Sequence, residues 1–143
     1  MRGILWGLTV LGIVMISHSD RGILFAQTSR IDLEIESIQI QPPRPSSKQP
    51  VLVAARIRNN GSEPAENLFV SVTLRRGAER IRTIKDVPVL SHLPRMGSGL
   101  SESVEIGTLA PGSYEIEMKV YTADPALEPN MNNNSRTNSF QVS

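Results

Sequence analysis

The densest set of oxygen donors in the chain lies between residues 124 and 134, which read DPALEPNMNNN. Asp124, Glu128, Asn130 and Asn133 offer carboxylate and amide oxygens, the hard ligands that Ca²⁺ takes, and Asn132 adds one more. The spacing is not that of an EF-hand loop, which needs its central Gly and terminal Glu. Asn and Asp side chains in such a loop also bond nearby backbone and hold its turns, and this plainer role is the favoured one. The expectation is therefore no cofactor, with Ca²⁺ as the alternative.

Positive charge forms the second grouping. Arg76, Arg80, Arg82 and Lys85 fall within ten residues and are the candidates for contact with a partner. Beyond residue 26 there is a single histidine, His92, too few for a multi-histidine metal site or for a triad without placed partners. Gly97-Ser98-Gly99 fails the nucleophile-elbow pattern, because Met96 occupies the upstream glycine position. No phosphate-cradling loop or metalloprotease motif is present. With no cysteine, thiol chemistry, disulfides and lipid attachment at an N-terminal cysteine are excluded. No convergent nucleophile, base and oxyanion donor can be named, so a non-enzyme is expected.

The elements that must carry these groups are short strands. Hydrophobic residues make up 39% and charged residues 20% of 143 residues, a globular balance for one domain. Ten Gly and ten Pro punctuate apolar runs that alternate with a period of two. The first run is Ile31, Leu33, Ile35, then Ile38 and Ile40, with a one-residue slip at Glu36-Ser37 that predicts a bulge or kink. A proline-rich stretch over residues 41–50 reads as an exposed loop. Val51, Val53, Ala55 and Ile57 form the second strand, ended by Asn59-Asn60-Gly61-Ser62. Leu68, Val70, Val72 and Leu74 form the third, and residues 79–85 a short, charged fourth suited to a sheet edge. Residues 86–99 read as a loop. Leu100, Val104 and Ile106 belong to the fifth strand. Tyr114, Ile116, Met118 and Val120 make the sixth, and a last strand ends in Phe140 and Val142. Seven strands with no sustained helical period predict an all-β, seven-stranded immunoglobulin-like sandwich.

Residues 1–26 precede that domain. Residues 4–16 read ILWGLTVLGIVMI after Arg2, a charged n-region and an apolar h-region. The run is shorter than the roughly 20 residues a bilayer span needs. Cleavage after Ser19 or after Ala26 fits a secretory signal; an uncleaved anchor is the other reading. Export to the periplasm or the extracellular space is expected, with residues 27–143 as the mature domain and no stable membrane span after cleavage. Cut after Ala26, the chain carries thirteen basic and thirteen acidic residues. Such a neutral domain is a poor nucleic-acid binder, which leaves a protein or a surface polymer of the cell envelope as the expected partner.

Two groups of motifs carry a family resemblance. Gly107-Thr-Leu-Ala-Pro-Gly-Ser-Tyr114 resembles the tyrosine-corner entry to the sixth strand of immunoglobulin-like and fibronectin-like domains, in which the tyrosine hydroxyl bonds nearby backbone. Ile31-Asp-Leu-Glu-Ile-Glu-Ser-Ile, Ile57-Arg-Asn-Asn-Gly-Ser-Glu-Pro-Ala and the 124–134 loop together resemble the bacterial cell-adhesion-related domain, CARDB. That family typically has an N-x-G turn after its second strand and a D…E-x-N-E-x-N-N loop before its last. Asp124, Glu128, Asn130, Asn133 and Asn134 stand on matching positions, whereas Met131 replaces an acidic residue. The resemblance implies a sandwich with an extracellular, non-catalytic role in adhesion or scaffolding.

Charge is unevenly placed. Residues 56–85 hold seven basic groups against three acidic, and residues 99–128 hold one against six. If the second strand pairs with the fifth and the third with the sixth, Arg56 and Arg58 face Glu105, and Arg75 faces Glu115 or Glu117. Sugar-binding modules usually present flat aromatic platforms. Beyond residue 26, Phe69 has the outward phase of its strand and Tyr121 sits at a strand end, and two such aromatics do not make a sugar-binding platform.

Overall fold

A computed structural model describes residues 30–90 and 92–143; the predicted export segment, with Trp6, lies outside them. Alternation lays out the strands. In β3 (Leu68–Arg76), Leu68, Val70, Val72 and Leu74 are buried, and the residues between them are half-exposed. The same rhythm runs through β1 (Leu33–Gln41), β2 (Pro50–Asn59) and β7 (Gly112–Thr122). The set is completed by β4 (Glu79–Pro88), β5 (Ser98–Leu100), β6 (Val104–Thr108) and β8 (Ser135–Val142), with a 3₁₀ turn at Pro125–Leu127. Among the described residues no helix is long and apolar enough to cross a membrane.

Two antiparallel sheets result. In one, β2 pairs with β1 on one side and with both β5 and β6 on the other; the second runs β4-β3-β7-β8. Inward side chains of both sheets merge into one core, with Leu33, Ile57, Leu74, Ile116 and Met118 almost wholly removed from water. Gly77, at φ 59°, turns the tight β3–β4 hairpin, where a side chain would strain the backbone. Gly61 is demanded by space: a Cβ there would lie 2.5 Å from the Arg30 carbonyl oxygen. That contact is the physical content of the N-x-G turn.

The expected fifth strand is two pieces, so the sandwich has eight strands where seven were expected. Between β5 and β6, Ser101 takes over the ladder. Its N–H donates to the Ala55 carbonyl, and its hydroxyl oxygen accepts the Ala55 N–H, each at 2.9 Å. The flanking backbone is then free to bond the other sheet, where the Glu102 N–H donates to Pro88 and the Leu90 N–H to Leu100. One side of the sandwich is closed in this way.

Three further expectations are corrected. The fourth strand does not stop at Lys85: Asp86 adopts φ 59°, the chain bulges, and Val87 and Pro88 resume pairing with Val70 and Phe69. Ser98 and Gly99, read as loop, pair with Arg58 and Ile57. The 41–50 segment does join two strands, but Pro45 is buried, and residues 45 and 47 exchange backbone hydrogen bonds with Ser143.

The bulge expected at Glu36-Ser37 is present, and it overturns one charge pairing. The β1–β2 register steps from Ile35↔Ile57 to Ser37↔Arg56, leaving Glu36 as the extra residue. Its carboxylate reaches Arg56 at 3.1 Å and Arg58 at 3.6 Å. Glu105, the expected partner, instead stands opposite Leu52. The other expected pairing holds: Arg75 lies opposite Glu115 and pairs with Glu117 at 3.5 Å.

The tyrosine corner is also present. The Tyr114 hydroxyl donates to the Ala110 carbonyl at 2.8 Å, its ring stacks on Phe140, and Arg76 lies over its face at 5.5 Å. Tyr114→Phe keeps the ring and removes only the hydroxyl, with water available to the exposed Ala110. Urea denaturation is expected to show a loss of about 0.5–1.5 kcal/mol; no loss would mean the corner is held by packing alone.

Candidate functional site

Two regions collect the polar residues singled out above. The first is the end of the sandwich where β1 begins and β8 is entered. There Glu128, only 2% exposed, points inward. One carboxylate oxygen accepts the Leu33 N–H at 2.6 Å, and the other accepts the Asn134 amide at 2.9 Å. Asn134 also donates to the Val120 carbonyl, so one buried pair ties β1, β7 and the loop together. Desolvation pushes the Glu128 carboxyl above its ordinary value, and nearby Asp32 adds to the rise; the two donated hydrogen bonds oppose it.

The other oxygen-bearing residues face different partners. Asn130 and Asn133 both donate to Asp32, at 3.4 and 3.1 Å. Asp124 accepts the Ala126 N–H through its side chain and the Thr122 hydroxyl through its carbonyl. Asn132 is bound through its backbone N–H to Asn130. Thus Asn130 and Asn133 share a partner, Glu128 bonds the strand below, and Asp124 caps the 3₁₀ turn. Among the described residues, no three His, Cys, Asp or Glu side chains come together as a metal cluster. Two amide oxygens, of Asn133 and Asn134, are nevertheless buried without a hydrogen-bond partner.

Asp32 and Asn59 belong to this region as well, and their roles were not read from the sequence. Asn59, wholly buried, accepts the N–H of Gly61 at 2.9 Å and donates to the Glu63 carbonyl at 2.7 Å. Its place in the N-x-G turn was the available signal; Asp32 had none beyond an alternating strand.

The second region is the outer face of the β4-β3-β7-β8 sheet. Of the four cationic candidates, Arg76 donates to the Pro111 carbonyl and Arg82 to that of Ile106, so both brace the sandwich. Arg80 faces Arg75 across the hairpin, and Lys85 is exposed beside the Asp86 bulge. The four do not gather at one point. Across the sheet Phe69 lies directly opposite Tyr121, and the two rings stack with centroids 6.0 Å apart. The bulge aims Asp86 at Tyr121. The Tyr121 hydroxyl donates to the Asp86 carboxylate and accepts the Asp86 N–H at 2.9 Å. Desolvation, then the hydrogen bond to Asp86, push the phenol above its ordinary value, so it stays a neutral donor. A concavity of about 370 Å³ opens beside Tyr121.

Two antiparallel sheets with this strand order and a tyrosine corner define an immunoglobulin-like β-sandwich. The CARDB family model matches residues 30–138, and the chain belongs to the CARDB family. Among solved structures it is similar to a CARDB domain from Pyrococcus furiosus in complex with di-metal ions: 17% identity, TM-score 0.54, covering 79% of this chain and 89% of that one. It is also similar to the C-terminal domain of wzt, at 11% identity and TM-score 0.59, covering 78% of this chain and 73% of that one. A β-glucosidase from Erythrobacter marinus contains a similar unit, at 13% identity and TM-score 0.52, covering 79% of this chain but 16% of that one. At these identities the likeness is one of fold. No curated protein matches the chain in sequence.

Glu128→Ala strands two buried donors and is expected to cost about 2–4 kcal/mol. A pH series isolates the charge. Because the native carboxyl is raised, its contribution to stability is present below the ordinary carboxylate range, about pH 4. That contribution is lost as pH rises through the raised native value. Glu128→Gln cannot titrate, so the stability advantage of wild type over this variant should shrink with rising pH. An advantage that widens instead would mean the native fold favours the anion.

Proposed function

We propose that this CARDB chain is an exported, non-catalytic binding module of the cell envelope or extracellular space, acting in adhesion or scaffolding. Its expected partner is a protein or a surface polymer. The observation that carries the reading is the outer face of the β4-β3-β7-β8 sheet. That face bears a concavity beside a hydrogen-bonded tyrosine and exposed Lys85 and Lys119. The N-terminal apolar segment supports export, and family membership supports a binding or adhesion-like role in general terms.

A second reading rests on the two buried, unpartnered amide oxygens of Asn133 and Asn134. A buried carbonyl oxygen without a donor is costly, and a hard cation satisfies it. In this reading Ca²⁺ is held from the 124–134 loop. Asn133 and Asn134 supply the oxygens, with Asp32 beside them. The Pyrococcus furiosus relative, in complex with di-metal ions, is consistent with it.

Immobilised full-length chain, incubated with an envelope extract of its own cell, is expected to retain a specific partner, with Lys85→Glu reducing the yield. Retention unchanged by Lys85→Glu would move the contact off this face. For the Ca²⁺ reading, the melting temperature should rise in millimolar Ca²⁺ and fall with chelator; no shift would remove the ion from the account.

A further inference from the structure

The outward side chains of the β4-β3-β7-β8 sheet divide into two ends. Toward the β3–β4 turn, Arg75 stands opposite Glu115 and pairs with Glu117, so charge is matched. Toward the other end, Phe69 stands opposite Tyr121 and Ser71 opposite Lys119. Lys85 enters the same zone from the bulge in β4. Among the described residues neither Lys85 nor Lys119 lies within ion-pair distance of a carboxylate. The one acid lining the concavity with them, Asp86, accepts the Tyr121 hydroxyl and offsets one of the two positive charges.

The open concavity at this end, of about 370 Å³, is lined by Ser71, Lys85, Asp86, Lys119, Tyr121 and Met131. The β3–β7 register brings the Phe69 and Tyr121 rings together, stacked with centroids 6.0 Å apart, as one aromatic patch on the sheet face, of which Tyr121 lines the concavity. The platform is held before any ligand arrives. Two hydrogen bonds fix Tyr121 through Asp86, whose left-handed backbone at the bulge is one that aspartate readily adopts. A fixed ring loses little entropy on binding.

We infer that this face binds an acidic saccharide, with a sugar ring laid on the Phe69–Tyr121 platform and its carboxylate set between Lys85 and Lys119. A pyranose presents an apolar C–H face to aromatic rings and a rim of hydroxyls to Ser71 and Asp86. Two ammonium groups against the single Asp86 carboxylate leave the concavity net positive, the charge complement that a uronic acid lacks in a neutral sugar site. This inference rests on the binding-module reading and names the ligand class for its surface.

The test uses the full-length chain and three trisaccharides, of galacturonic, mannuronic and guluronic acid, with maltotriose as the neutral control. Binding is followed by calorimetry and by NMR shifts. At least one acidic trimer is expected to bind saturably, to weaken as salt is raised, and to shift Tyr121, Ser71 and Lys119. Lys119→Gln and Lys85→Gln should each weaken it by about tenfold, and Arg75→Gln, on the same face, should leave it unchanged. Tyr121→Ala should abolish binding, and because it also frees Asp86, the exposed lysine variants keep the test independent of folding. No saturable binding of any acidic trimer overturns the inference, as does equal binding of maltotriose or binding indifferent to Lys119→Gln. If the trimers fail while the envelope extract still yields a protein that Lys85→Glu releases, the saccharide falls and the binding-module reading stands; if both fail, both fall.

Discussion

A carboxylate taken out of water must be given partners, and in this sandwich the partners of Glu128 come from separate parts of the chain. The Leu33 N–H opens the first strand, and the Asn134 amide stands at the entry to the last. Asn134 in turn holds the Val120 carbonyl in the middle of the opposite sheet. Burial of a charge is costly unless such bonds are made, so the loop has one arrangement in which all of them are satisfied. That arrangement sets where β8 begins and brings the two sheets together at this end. The apolar core supplies most of the driving force for association, while this polar junction selects which registers and which loop path accompany it.

The sides of the sandwich depend on the same economy of backbone hydrogen bonds. Where β5 gives way to β6, the Ser101 hydroxyl substitutes for a main-chain acceptor toward Ala55, and this frees neighbouring backbone to bond the strand across the gap. Farther along, Arg82 reaches the Ile106 carbonyl from the edge strand, and Arg76 covers the tyrosine corner. Much of the basic charge that looks like a binding surface in one dimension is thus spent on closing the fold. What is left on the outer sheet is a narrower feature: an aromatic pair, two lysines and a bulge that carries Asp86 onto Tyr121.

The division of labour between the two ends follows from these contacts. At the Glu128 end, most polar side chains turn inward on one another, and the Asn133 and Asn134 amide oxygens left without a partner are buried. On the outer sheet, Lys85 and Lys119 near Tyr121 are exposed and, among the described residues, form no ion pair. A binding role belongs more naturally to the second place than to the first.

Most strand positions, the bulge at Glu36-Ser37, the tyrosine corner and the edge character of the fourth strand were legible in the sequence, because each depends on neighbours a few residues away; the run of β4 past Asp86 and the break between β5 and β6 were not. Period-two alternation marks a half-buried strand wherever it occurs, and a one-residue slip in that period has few structural meanings. Interactions between distant residues were not legible in the same way. Glu36 rather than Glu105 neutralises Arg56 and Arg58, because the bulge inserts it beside them. Glu128 is a buried anchor rather than a surface oxygen, because Leu33, ninety-five positions away, presents its N–H there. Phe69 and Tyr121 become one platform only through the β3–β7 register. The sequence by itself determined the strands, their faces and the family to which they belong, since local alternation and turn chemistry suffice for these. Only the tertiary structure decided which charges meet, which carboxylate is buried and where the outer face is left unmatched, since each depends on the pairing of segments that the order of residues does not bring together.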